Sequence, residues 1–217
     1  VTVEDCVDKI PNRFDLVLDN IILYKRPAAD LYNRIFVVSA YGGITNMLLE
    51  HKKSGDSGVY SAYAANSGDW EALLQGVLTH MCETNAGLAK LGLDVAAADA
   101  FVKERIEGIR NCLLDLRRLC SYGHFKLDEH LPAVREMLSA IGEAHSAYNS
   151  TLILQGKDVN AICLDLSGWM DEENLSFDEK IQTTFANLDL NTCLPIVTGY
   201  TKCAEGIMAT YDRGYSE

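Results

Sequence analysis

Apolar positions along the chain follow two different periods. From Arg13 to Tyr24 they fall at Phe14, Val17, Leu18, Ile21 and Ile22, the spacing of one helix face, and Pro27 ends that region. Three longer stretches repeat the helical spacing. One is predicted from Asp69, which can cap it, to about Lys90. The second carries Val102, Ile106, Ile109, Leu113, Leu116 and Cys120, and the third Val134, Leu138, Ile141, His145, Tyr148 and Leu152. Each of these two has an apolar stripe along one side, and Ser121-Tyr122-Gly123-His124 separates them. Ile44 to His51 and Asp178 to Leu188 predict two shorter helices.

Continuous β-branched runs mark the strands. Val1-Thr2-Val3 reads as an opening strand, and Arg34-Ile35-Phe36-Val37-Val38-Ser39 as a strand buried on both faces. Val159 to Leu164 and Leu194-Pro195-Ile196-Val197-Thr198 read as two more. The polar, Gly- and Ser-containing stretch from His51 to Gly68 reads as a surface loop, as does Asp165 to Phe177. Strands alternating with helices predict an α/β layered fold with a mostly parallel central sheet. Ligands in such sheets sit beyond the carboxyl ends of the strands. Gly42-Gly43, Asp165-Leu166-Ser167-Gly168 and Thr198-Gly199-Tyr200 each follow a strand, so three loops are expected on one edge.

Composition narrows the function classes. The 217 residues are 48% hydrophobic and carry 19 Lys+Arg against 31 Asp+Glu, a formal charge of −12. Such a surface repels a polyanion and no Lys/Arg cluster relieves it, so nucleic-acid binding is not expected. No apolar run is long enough for a membrane span, and Val1 to Asp5 lack the features of a secretory signal. The seven cysteines, Cys6, Cys82, Cys112, Cys120, Cys163, Cys193 and Cys203, include no C-x-x-C pair. They read as free thiols serving as small core residues in a reducing cytoplasm. No histidine shares a zinc spacing with a cysteine pair, so no metal site is expected.

Three segments carry candidate chemistry. In Ser39-Ala40-Tyr41-Gly42-Gly43-Ile44-Thr45-Asn46, two glycines between strand and helix let backbone amides approach an anion. In Ser139-Ala140-Ile141-Gly142-Glu143-Ala144-His145-Ser146, residues 139, 143 and 146 form a polar stripe of small residues around one carboxylate, suited to an ammonium group. His145 lies on the apolar stripe and reads as a satisfied core histidine. In Thr210-Tyr211-Asp212-Arg213-Gly214-Tyr215-Ser216-Glu217, one arginine among Gly and Ser is suited to clamp a carboxylate.

Together and in this order, the segments resemble an aspartate kinase of the amino-acid-kinase family, in particular the type found with ectoine biosynthesis genes. Val37 to Asn46 is similar to the family's VVSA-x-x-G-V-T segment, and Ser139 to Ser146 to its S-x-G-E-x-x-S helix. Pro195 to Tyr200, followed by Thr210 to Glu217, is similar to its strand, glycine turn and T-x-x-R-G-x-S-D box. The resemblance implies a three-layer αβα sandwich of amino-acid-kinase type and ATP-dependent phosphorylation of the L-aspartate side-chain carboxylate, with Mg²⁺ as activator. Carried over by position, Glu143 receives the substrate ammonium and Arg213 its α-carboxylate, with Ser39, Thr45 and Ser216 also on the substrate. Gly42 and Gly43 face the transferring phosphoryl group, and Glu217 stands where the family has a catalytic aspartate. The nucleotide-binding residues are not identified. A cytoplasmic homo-oligomer is implied for the full-length protein.

Two departures qualify the resemblance. Where the family has a lysine and a G-G-T-S phosphate loop, this chain reads Asp5-Cys6-Val7-Asp8-Lys9-Ile10-Pro11-Asn12, without a glycine. The chain also stops inside the arginine box, so residues 1–217 are expected to form the substrate-binding portion of the kinase domain, without its ATP-binding remainder or ACT domains. An alternative is a catalytically inactive kinase-like module that binds an amino acid or a partner subunit. A further one is an unrelated helical α/β interaction protein.

Overall fold

Residues 14–24, 28–51 and 53–206 are described by a computed structural model. In chain order the elements are α1 (Phe14–Val17, continued by a π-turn Leu18–Ile22), α2 (Ala28–Leu31), β1 (Phe36–Val38), α3 (Ile44–Leu48) and α4 (Val59–Ala64). They continue as α5 (Trp70–Leu88), α6 (Val95–Cys120), α7 (Leu131–Gln155), β2 (Ala161–Leu164), α8 (Phe177–Phe185) and β3 (Leu194–Thr198). The described part is thus helical with a small, wholly parallel three-stranded sheet in the order β1-β3-β2. That is compatible with an α/β fold. The expected strand Val1–Val3 lies outside the described residues.

β3 is the middle strand, and all five of its residues are buried. Its neighbours pair in register, Phe36 with Ile196 and Val38 with Thr198 on one side, Ala161 with Leu194 and Cys163 with Ile196 on the other. Register partners in a parallel sheet share a face. The face carrying Val38, Ala161, Leu194 and Ile196 joins the core with Leu138, Ile141, Ala147, Ile153 and Leu154 of α7. The opposite face includes Val37, which is 41% exposed. Among the described residues β1 is therefore an edge strand and not, as its apolar run suggests, one buried on both faces.

α7 is the axis of the molecule, packed on the sheet and also against α6, α3 and α4. Ala140, Gly142, Ala144 and Ala147 are small enough for these elements to approach it closely. α6 packs along α5 through one stripe, with Ile109 and Leu113 fully buried. Its start is fixed by Asp94, whose side chain accepts from the Ala97 N–H at 3.0 Å. α8 begins with a capping box of Ser176 and Glu179. No helix among the described residues is long and apolar enough to cross a membrane.

Other expectations are corrected. The expected 51–68 loop contains α4, whose Val59, Ala62 and Tyr63 are buried. Its polar composition hides a one-sided pattern, and the Tyr63 hydroxyl donates to the Leu113 carbonyl at 2.9 Å. α3 ends at Leu48 rather than His51, and α8 at Phe185 rather than Leu188. Asp69 precedes α5 but does not cap it; its carboxylate accepts from the Ser67 hydroxyl at 2.9 Å instead. All six described cysteines are free thiols, but Cys112 is exposed rather than a core residue.

Candidate functional site

Parallel strands send their carboxyl ends to one edge, and hydrogen bonds knit the three following segments there. The Gly199 N–H donates to the Val38 carbonyl at 3.0 Å, joining the exits of β3 and β1. The Thr198 hydroxyl accepts from the Leu166 N–H at 3.0 Å and donates to the Tyr200 carbonyl at 2.9 Å. The Lys202 N–H donates to the Leu166 carbonyl at 2.8 Å. The loops predicted to share an edge do so.

α7 presents its small, polar side to this edge. A Cβ added to Gly142 would lie 2.7 Å from the Ala40 Cβ and 3.0 Å from Ile44 Cγ2, so glycine there seats the helix directly on the 39–44 turn. One turn later, the Ser146 hydroxyl donates to the Ser39 carbonyl at 2.6 Å. Between them stands Glu143, half-buried, its Oε2 inaccessible to solvent. That oxygen lies 3.2 Å from where a Cβ on Gly199 would sit, and the Val38 carbonyl is 3.3 Å from the same point. Gly199 thus lets the carboxylate lie in the crevice between the ends of β1 and β3.

The turn itself adopts a conformation that requires glycine. Gly43 has φ +87°, in the left-handed region, and is exposed, with open space where a side chain would project. The helix that follows has only five residues, so its dipole adds little, and backbone amides are the turn's main means of meeting an anion. Ser39 and Thr45 flank the turn, both half-buried. Ser139, expected on the same stripe, donates instead to the Arg135 carbonyl one turn back on α7. Arg213, Ser216 and Glu217 lie outside the described residues.

At Ala140, one turn of α7 before Glu143, the structure opens into a cavity of about 520 Å³ between α6, α7 and the segments after β2 and β3. Glu136, Met137, Trp169, Tyr200 and Lys202 line it. The Tyr200 hydroxyl donates to the Glu136 carboxylate. Glu136, Ala140 and Glu143 follow one another on a single face of α7. The loop after β2 is held by Arg105, 9% exposed, whose guanidinium lies 4.7 Å from the ring centres of both Phe101 and Trp169. It also donates to Asp165 at 2.7 Å. Gly108 makes room for Trp169, whose ring would lie 2.4 Å from an added Cβ. Neither Arg105 nor the Tyr200–Glu136 pair stands out in the sequence, since partners 60 and 64 residues away leave no local pattern.

Among the described residues, no three His, Cys, Asp or Glu side chains gather as a metal site. His145 is buried as expected, with Nε2 2.6 Å from Asn85 Oδ1. Burial pushes its imidazole down to about 3, so it is neutral. It is only half satisfied, because Nδ1 has no hydrogen-bond partner among the described residues.

No family model and no solved structure matches this chain. It is 50% identical over 218 residues to "Aspartate kinase Ask_Ect" of Stutzerimonas stutzeri (strain A1501), an alignment covering 100% of this chain and 46% of that protein. The chain therefore spans about half the length of the curated relative it matches. Over its whole length it is similar to part of an aspartate kinase of the ectoine-cluster type, as the order of its motifs indicates.

Proposed function

We propose that this chain is the substrate-binding portion of an amino-acid-kinase domain that phosphorylates the side-chain carboxylate of L-aspartate, giving 4-phospho-L-aspartate. The observation that carries the reading is the Glu143 carboxylate, set in the strand-end crevice beside the Gly42-Gly43 turn. In this reading Glu143 takes the substrate ammonium, and Arg213 takes the α-carboxylate. Ser39, Thr45 and Ser216 complete the contacts, and Glu217 orients the reacting groups. Holding both α-substituents points the remaining carboxylate of aspartate toward the turn.

The chemistry asks little of a general base. A carboxylate is already ionised at neutral pH, so one of its oxygens attacks the γ-phosphorus of ATP without giving up a proton. The bond to the β-phosphate oxygen breaks and ADP leaves. Catalysis then depends on alignment and on stabilising charge over the transferring oxygens, a task suited to the amides of Gly42 and Gly43. Mg²⁺, when bound, supplies further screening of the phosphate charge. The described residues include no acidic cluster for it, so no step here is assigned to the ion.

In the full-length protein, Glu143→Gln is expected to lower kcat/KM for aspartate about 100-fold, because a buried partner of an ammonium contributes about 3 kcal/mol. Trapping the acyl phosphate with hydroxylamine measures this directly. Unchanged activity in the variant would remove Glu143 from the substrate site.

A second reading, an inactive module that binds an amino acid or a partner subunit, is favoured by Asp5 to Asn12, where carboxylates replace a glycine-rich phosphate loop. Calorimetric titration distinguishes the two. Aspartate binding with no turnover when ATP and Mg²⁺ are added supports the module; turnover excludes it.

A further inference from the structure

Behind the glycine turn, four polar side chains are buried together. Asn85 of α5 and Asn149 and His145 of α7 are fully buried, and Tyr41, the residue before Gly42, is 6% exposed. The Tyr41 and His145 rings meet edge to face at 5.1 Å. Burial in so apolar a setting requires that such groups be paired.

The hydrogen bonds fix which atom donates. Asn85 Nδ2 lies 2.9 Å from the Asp99 carboxylate, which only accepts, so the amide nitrogen faces α6 and Oδ1 faces α7. Asn85 Oδ1 then accepts from Asn149 Nδ2 at 2.7 Å and from His145 Nε2 at 2.6 Å. A neutral His145 donating through Nε2 has an acceptor at Nδ1. Asn149, donating through Nδ2, has an acceptor at Oδ1. Those two atoms and the Tyr41 hydroxyl are buried without a hydrogen-bond partner among the described residues. Burial holds the Tyr41 hydroxyl well above its ordinary pKa, an effect the neighbouring Asn149 amide only partly offsets, so it remains a donor. One donor and two acceptors are what a single water molecule satisfies, accepting once and donating twice.

We infer that Tyr41 is a positioning residue: one internal water joins its hydroxyl to His145 Nδ1 and Asn149 Oδ1, tying the Gly42-Gly43 turn to a buried relay that runs through Asn85 to Asp99. The relay links the turn to α5, α6 and α7 at once, and holds the turn's amides in place. Its catalytic consequence rests on the kinase reading above, whereas its structural part does not.

Tyr41→Phe in the full-length protein keeps the ring and removes only the hydroxyl. If the hydroxyl bonds nothing, its removal leaves the melting temperature unchanged or raises it, and that result overturns the inference. The relay predicts a fall of a few degrees. It also predicts a kcat about tenfold lower, with the aspartate KM within about twofold, because Glu143 and Arg213, the charged groups assigned to aspartate, are untouched while the phosphoryl-facing amides shift. A lower melting temperature with unchanged kcat overturns the positioning role, because a purely structural tyrosine would behave that way. Wild-type protein with no aspartate-dependent transfer overturns the kinase reading itself, and the melting comparison still decides whether the relay exists.

Discussion

α6 and α7 have 26 and 25 residues and lie side by side, yet they are built on opposite plans. α6 buries six residues, nearly all on one apolar stripe, and leaves the rest half-buried or exposed. α7 buries fourteen, including Gly142, His145, Ser146, Asn149, Ser150 and Thr151. The first helix is held by burial of one face, and any similar stripe would serve. The second has no exposed residue from Leu138 to Leu154, and three of its polar residues answer to particular partners: His145 and Asn149 to Asn85 of α5, and Ser146 to the Ser39 carbonyl before the glycine turn. A helix enclosed in that way and carrying a carboxylate is where specific chemistry is to be sought.

Four measurements test this contrast. Leu113→Ala removes a fully buried residue from the α6 stripe and is expected to cost about 2–5 kcal/mol in urea unfolding and, on the proposed kinase reading, to leave the full-length protein's aspartate KM unchanged. A large effect on KM would mean that α6 is more than a support. His145 gives α7 a pH signature. Its ordinary value is 6.5 and its folded value about 3, so below 6.5 the unfolded state takes up a proton that the folded state refuses. Stability therefore falls as pH falls through this window, by about 1.4 kcal/mol per pH unit from this residue. His145→Gln should flatten that limb of a stability–pH profile, and an unchanged slope would show that His145 is not the group responsible.

The two smaller effects have opposite signs. Gly142→Ala forces a methyl group against Ala40 and Ile44 and is expected to destabilise by about 1–3 kcal/mol. Gly76→Ala, in the interior of α5, adds a methyl with nothing within 4 Å and is expected to stabilise by about 0.5–1 kcal/mol. Thermal melts of the pair check this. Equal effects would mean that α7 does not sit on the turn as closely as described.

The same contrast governs what could be read from the sequence. The α6 stripe, the buried run of β3 and the Gly42-Gly43 turn depend on near neighbours in the chain, and each was legible. So was the small-residue face around Glu143, because solvated helices seldom carry Ser, Gly and Ala there. α4 was lost because Ser, Asn and Gly around it outweigh the three residues it buries. The partners of α7 were hidden for another reason. Asn85 looks like any polar helix residue until His145, 60 positions later, is folded onto it. Tyr200 likewise acquires meaning only beside Glu136.

The central place of β3 bears on how the chain acquires its shape. β1 and β2 are not paired with each other, and β3, which joins them, follows both in the chain. Phe36 must await a partner about 160 residues downstream, a separation that slows folding. As the polypeptide leaves the ribosome, the α5–α6–α7 helices are free to assemble first from near-neighbour contacts. The Glu143 crevice, by contrast, comes into being only when β3 is set between β1 and β2.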